Sequence, residues 1–162
     1  MSAQTYSVDR DLTEARSMAG ALSDYVRADA LYGQVGGWFG SGKMPSLTVG
    51  ALLLRLKRLA ALRDTLSPAQ QRQLGEIQAR HEAVRREWRV HYDQKMLREA
   101  RSRLEAMRAF FGECDEDPRT CASNYPPELL RLTIAHELAV ELATAGADTS
   151  GLDGRLRLAD SR

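Results

Sequence analysis

Apolar residues recur every three or four positions along most of the chain, which is the spacing of one face of an α-helix. No stretch alternates apolar and polar residues for long enough to indicate a half-buried strand. The pattern predicts helices over about 9–32, 47–65, 68–111 and 127–143. We therefore expect an all-α fold resembling a four-helix bundle, in which three shorter helices pack on the long third one.

The long helix has the clearest start. Ser67, Pro68 and Gln70 occupy the N-cap, N1 and N3 positions of a capping box, which satisfies the free N–H groups of a first turn. An apolar seam then repeats about every 3.7 residues, which favours a nearly straight helix inside a bundle over a left-handed coiled coil. The seam consists of Leu74, Ile77, His81, Val84, Trp88, Tyr92, Met96, Ala100, Leu104, Met107 and Phe111. On this seam, His81 is expected to be a core histidine.

The shorter helices and the connections have weaker signals. Ser46 is the expected N-cap of the second helix, and residues 113–125 are expected to form an acidic loop. Pro126 and Pro127 should open the last helix. Its apolar set is Leu129, Leu130, Leu132, Ile134, Leu138 and Leu142. We expect one helical-bundle domain over 1–145, followed by a polar tail over 146–162 that is flexible or docks on a partner.

Composition supports the helical interpretation. The 162 residues include 22 Leu and 22 Ala but only 7 Val and 2 Ile. Leu and Ala favour helices, whereas the β-branched residues that favour strands are scarce. No uncharged apolar run is long enough to span a bilayer, so no membrane span is expected.

The formal net charge of +1 conceals a strong asymmetry along the chain. Residues 1–40 carry a net −2, residues 41–112 a net +8 and residues 113–162 a net −5. Either the acidic flanks cover the basic helices, which we expect, or an open basic surface binds phosphate-rich partners. Acidic residues alternate with the arginines of the long helix at four-residue spacing, which is typical of a solvated helix and disfavours a nucleic-acid partner.

A glycine-rich segment resembles a phosphate-binding loop without completing it. Residues 37–43 read GWFGSGK, but a P-loop requires a preceding strand and a hydroxyl after the lysine, where Met44 stands. We expect an inter-helix loop over Gly33–Ser46. Its Trp38 and Phe39 either cap the core or contact a ligand or partner.

No motif completes a catalytic or metal site. His136 and Glu137 begin the zinc pattern H-E-x-x-H, but Val140 stands where the second histidine is needed. The sequence therefore favours a non-enzymatic function over an enzymatic one. It indicates no catalytic residue, metal or cofactor.

The two cysteines, Cys114 and Cys121, have a separation that permits a disulfide without requiring one. Only two cysteines are present, and the first residues contain no secretory signal. We therefore expect reduced thiols and a cytoplasmic location.

The leading interpretation is a non-enzymatic helical-bundle protein that acts through protein–protein contact and self-associates. The shorter helices cannot cover the whole length of the long one, so a second copy is expected to do so. One alternative is an anion-binding module for phosphate or nucleic acid, and another is a small-molecule binder using the Gly33–Ser46 loop. The candidate contact residues are Trp38, Phe39, Lys43, Arg55, Lys57 and Arg58.

Overall fold

The computed structural model describes residues 5–35, 38–39, 42–43 and 45–161, with the side chains of 38, 39, 42, 43, 120 and 124 outside that description. The predicted all-α fold is confirmed. The helices are α1 (Val8–Arg27), α2 (Val49–Ala61), α3 (Pro68–Glu87), α4 (Arg89–Glu116), α5 (Pro118–Thr144) and α6 (Ser150–Asp160), with a 3-10 turn at Arg63–Thr65. Between α1 and α2, the two-residue strands β1 (Trp38–Phe39) and β2 (Gly42–Lys43) pair antiparallel.

The chain divides into two compact units, residues 1–92 and 93–162, where the sequence suggested one domain and a tail. In the first unit, α1 packs against both α2 and α3, and α2 contacts α3. Their shared core is built from leucines and a methionine with little or no solvent exposure, Leu12, Met18, Leu22, Leu52, Leu59 and Leu74. The first unit is therefore a three-helix bundle.

Side-chain caps define the helix starts in this unit. The predicted capping box is confirmed: the Ser67 N–H donates to Gln70 Oε1 (2.9 Å), and the Gln70 N–H donates to Ser67 Oγ (3.2 Å). The cap of α2 is Thr48 rather than Ser46, because the Thr48 hydroxyl accepts the Ala51 N–H at 3.0 Å.

The predicted long helix is present but interrupted at one residue. Trp88 adopts φ −113° and ψ 36°, outside helical geometry, and separates α3 from α4. The seam stays buried on both sides of it, from Leu74 to Met107, although Phe110 rather than Phe111 is the buried ring at its end. Neither Gly nor Pro lies near Trp88, so the sequence contained no punctuation that would predict the interruption.

The segment between α1 and α2 is closed by a backbone bridge. Gly33 and Leu47 exchange two N–H···O bonds of 2.9 Å. A Cβ on Gly33 would lie 2.8 Å from the Tyr25 ring, so only glycine fits this close approach. The bridge between Gly33 and Leu47 therefore holds together the two ends of the loop predicted over Gly33–Ser46.

The predicted acidic loop over 113–125 is largely helical. Helix α4 continues to Glu116, and α5 starts at Pro118 with Asp117 as its N-cap. A disulfide joins Cys114 in α4 to Cys121 in α5, where reduced thiols were expected. Pro126 and Pro127, expected to open the last helix, lie inside α5 and supply no backbone N–H to the turn before them. The start of α5 is nevertheless helical, because the Asp117 cap, Pro118 at the N1 position and the disulfide stabilise it.

The expected polar tail contains α6. Leu152 and Leu156 are buried one turn apart, and α6 contacts α5, which explains why this segment is ordered as a helix. The Ser150 N–H donates to Asp148 Oδ1 at 3.0 Å, and this bond lowers the pKa of the Asp148 carboxyl below its ordinary value. At the other end, Asp160 pairs with His136 of α5 at 2.9 Å.

We expect the double substitution Cys114→Ser and Cys121→Ser to lower the free energy of unfolding by about 2 kcal/mol, because a short cross-link restricts the unfolded chain. Urea unfolding followed by circular dichroism measures this change. Dithiothreitol should destabilise the wild-type chain by the same amount and leave the double variant unchanged. Equal unfolding midpoints for the double variant and the oxidised wild type would contradict the expectation.

Candidate functional site

The contact between α1 and α2 holds two buried carboxylates. Asp11, only 4% exposed, lies on the face of α1 that meets α2. Arg58 binds it with both ends of the guanidinium group, Nε to Oδ2 at 2.8 Å and Nη2 to Oδ1 at 2.6 Å. The Tyr6 hydroxyl also donates to Oδ2 at 2.7 Å. This two-point geometry is the strongest form of an arginine–carboxylate pair.

Glu14, one turn further along α1, binds the second arginine. Arg55 Nε and Nη2 each lie 3.0 Å from Glu14 Oε2, and Arg10 contacts the other carboxylate oxygen at 3.0 Å. Arg55 Nη1 also donates to the Ala51 carbonyl at 2.9 Å. We call Asp11, Glu14, Arg55 and Arg58 the α1–α2 charge cluster. It brings acidic residues of the N-terminal segment onto the basic segment, as expected from the charge asymmetry.

The pKa values of Arg58 and Tyr6, both of which contact Asp11, are shifted. Hydrogen bonds to Asp11 raise the pKa of Arg58 above its ordinary value. Burial, followed by the hydrogen bond to Asp11, raises the pKa of the Tyr6 phenol above 10.0. Arg58 therefore remains a cation at any physiological pH, and Tyr6 remains a hydrogen-bond donor.

The six predicted contact residues do not form one site within the described residues. Arg55 and Arg58 come together in the charge cluster, where they contact carboxylates of the same chain. Lys57 lies on α2 and is exposed. Trp38, Phe39 and Lys43 belong to the β1–β2 hairpin by their backbones, and their side chains lie outside the described residues.

A buried histidine in the first unit has a structural explanation. His81 is buried, as predicted, and its Nε2 lies 2.7 Å from the Tyr92 hydroxyl. Arg85 lies over the Tyr92 ring at 5.1 Å.

Across the part of the chain that the structure describes, no cluster of three His, Cys, Asp or Glu residues could hold a metal ion. None of the described helices is long and apolar enough to cross a membrane.

Sequence reasoning missed an exposed apolar stripe on α5. Leu129 and Val140 are 48% and 57% exposed, and Tyr125 is about half exposed. Leu129 and Val140 are separated by three full helical turns, so they share a face, and Tyr125 lies one turn before Leu129 on the same side. We call Tyr125, Leu129 and Val140 the α5 stripe. Leu130 is also half exposed, but it points about 100° away from Leu129 around the helix.

The opposite face of α5 is the buried one. Its core residues are Ile134, Leu138 and Leu142. Of the apolar set predicted for the last helix, Leu129 and Leu130 therefore lie outside this buried face. A helical wheel contained the signal, because Leu129 and Leu138 differ by nine residues and so point to opposite sides.

Comparison with known proteins adds no identity to this geometry. The sequence matches no protein-family model, and no curated protein or solved structure is significantly similar to it. Function is therefore inferred from the arrangement of side chains alone.

Removing one cation of the charge cluster should leave a buried carboxylate with fewer partners, because only Arg10 would still pair with Glu14, and Tyr6 and Arg55 with Asp11. We expect Arg55→Met, whose side chain is only 14% exposed, to lower the free energy of unfolding by about 3 kcal/mol. Arg58→Met should cost less, about 1 kcal/mol, because its side chain is 41% exposed.

Chemical denaturation measures both changes. Arg63→Met is the matched control, since it removes the same charge from an exposed position outside the cluster. A loss for Arg55→Met no larger than that for Arg63→Met would show that the cluster contributes nothing to stability.

Proposed function

We propose that the protein acts through protein–protein contact and self-associates through the α5 stripe. The observation that carries the proposal is that Tyr125, Leu129 and Val140 are exposed on one face of α5, although Ile134, Leu138 and Leu142 already bury another face of the same helix. Singly exposed apolar side chains are common, but several large ones that recur on one helix face favour a contact with a neighbour.

The positions of the stripe suit a symmetric pair. Most homodimers are built on a two-fold axis, which places the same surface of each copy against the other. Suppose that two α5 helices pack antiparallel about a two-fold axis that passes midway between Leu129 and Val140. Leu129 of each copy then contacts Val140 of the other copy. The contact is thus complete with one kind of chain.

The alternatives receive less support from the same contacts. Anion binding through Arg55 and Arg58 would have to break their bonds to Glu14 and Asp11, so we do not propose it. A contact or small-molecule site at Trp38, Phe39 and Lys43 stays a prediction from the sequence.

Self-association predicts a mass twice the 18.0 kDa of the chain in sedimentation at tens of micromolar protein. The double substitution Leu129→Glu and Val140→Glu should yield a monomer, because it places charges in the contact while leaving the buried face of α5 intact. Its melting temperature, extrapolated to low protein concentration, should equal that of the wild type.

Val90→Glu is the matched control, since Val90 is an equally exposed apolar residue on α4. A monomeric wild-type chain, or equal dissociation by Val90→Glu, would contradict the proposal.

The cytoplasmic location also stays a prediction, and the cysteine pair makes it testable. Reducing systems of the cytosol keep most protein thiols free, whereas disulfides persist in oxidising compartments. If the protein is cytoplasmic, rapid alkylation in intact cells should label both Cys114 and Cys121. A pool protected as the disulfide until reductant is added would contradict a reducing compartment.

A further inference from the structure

A cavity of about 320 Å³ lies between α4 and α6 in the second unit. Helix α4 lines it with Leu104, Arg108 and Phe111, whose spacing places them on one helix face. Helix α6 contributes Arg155 and Leu158 from the other side. This volume lies at the lower end of the range found for small-molecule sites.

Two arginines lining one cavity are its main electrostatic feature. Among the described residues, Arg108 and Arg155 have no hydrogen-bond or ion-pair partner within 4.0 Å. Arg131 of the same unit, by contrast, is paired with Glu128 at 2.7 Å. Like charges around one cavity repel each other, and an anion between them replaces that repulsion with charge-assisted hydrogen bonds.

The rest of the lining is mainly apolar. Leu104 is buried beneath the cavity, and Phe111 is partly exposed to it. Leu158 is 62% exposed on a short helix whose other leucines are buried. A hydrocarbon group in the cavity would remove this apolar surface from water and be stabilised in proportion to the area covered.

One acidic residue also contributes to the lining. Glu105 lies on α4 next to Leu104, so the cavity carries two positive charges and one negative charge. The excess remains positive. Glu105 should therefore weaken the binding of an anion without preventing it.

We propose that this cavity binds a small amphiphilic anion, with a carboxylate or phosphate head on Arg108 and Arg155 and an apolar tail against Leu104, Phe111 and Leu158. The site is separate from self-association, because none of these residues belongs to the α5 stripe.

Three probes separate the components of this recognition in calorimetric titration of the full chain, with the two amphiphiles kept below their micelle-forming concentrations. Laurate has an anionic head and an apolar tail. Dodecyltrimethylammonium has the same length of tail with a cationic head, and inorganic phosphate is an anion without a tail. Laurate should bind one site per chain, and the other two should not bind. No laurate binding, or equal binding of the cationic probe, would overturn the proposal.

Substitutions locate the site. Arg108→Gln and Arg155→Gln should each weaken laurate binding roughly tenfold, the effect of losing one charged hydrogen bond. Glu105→Gln should strengthen it by removing the like charge. Without laurate, all three variants should melt as the wild type does, since Arg108 and Arg155 have no partner to lose in the described structure.

Arg101→Gln and Arg157→Gln are the matched controls, because they remove exposed arginines from the same two helices outside the cavity. Equal weakening by these controls would show that laurate responds to overall charge and would overturn the site. Arginine-dependent binding to anionic phospholipid vesicles without binding of free laurate would overturn it as well, in favour of a membrane surface.

Discussion

The packing of the first unit depends on two carboxylates that α1 buries against α2. An ionised carboxylate in a protein interior is costly unless a cation and hydrogen bonds accompany it. Asp11 and Glu14 are three residues apart on α1, and Arg55 and Arg58 are three residues apart on α2. Asp11 pairs with Arg58 and Glu14 with Arg55, so the order of the pairs runs in opposite directions on the two helices. Arg55 also lies 3.8 Å from Asp11 and so bridges the two carboxylates. The order of the two closest pairs matches antiparallel helices and favours the observed register between them.

This cluster also explains how a chain of near-zero net charge holds a strongly basic middle segment. Two of the arginines that could have formed an open anion-binding surface are instead bound to carboxylates of the acidic N-terminal segment. In the second unit, Arg108 and Arg155 line a cavity together and lack such partners among the described residues. The carboxylate partners of Arg55 and Arg58 therefore indicate a packing role, whereas the shared cavity makes Arg108 and Arg155 candidates for binding.

Local signals in the sequence predicted the elements that local chemistry determines. The capping box at Ser67 and the seam from Leu74 to Met107 follow from short spacings, and both are present. The break at Trp88 could not be predicted, because no Gly or Pro marks it. The helical start of α5 was not predicted. It is constrained by the disulfide between Cys114 and Cys121, which their spacing permits but does not require.

The sites show the same division. The α5 stripe was predictable in principle, since one helical wheel separates Leu129 from Leu138. The contact between Asp11 and Arg58, 47 residues apart, depends on how α1 packs on α2. The cavity that Arg108 shares with Arg155 depends in the same way on the packing of α6. Neither arrangement has a counterpart in sequence spacing.

A double-mutant cycle on Glu14 and Arg55 tests the central claim most directly. The free energies of unfolding of the wild type, Glu14→Gln, Arg55→Met and the double variant give the coupling between the two side chains. A buried pair that holds the helix register predicts a coupling of about 2 kcal/mol, whereas the exposed pair Asp24–Arg27 on α1 should give less than about 0.5 kcal/mol. A Glu14–Arg55 coupling no larger than that of Asp24–Arg27 would contradict the account.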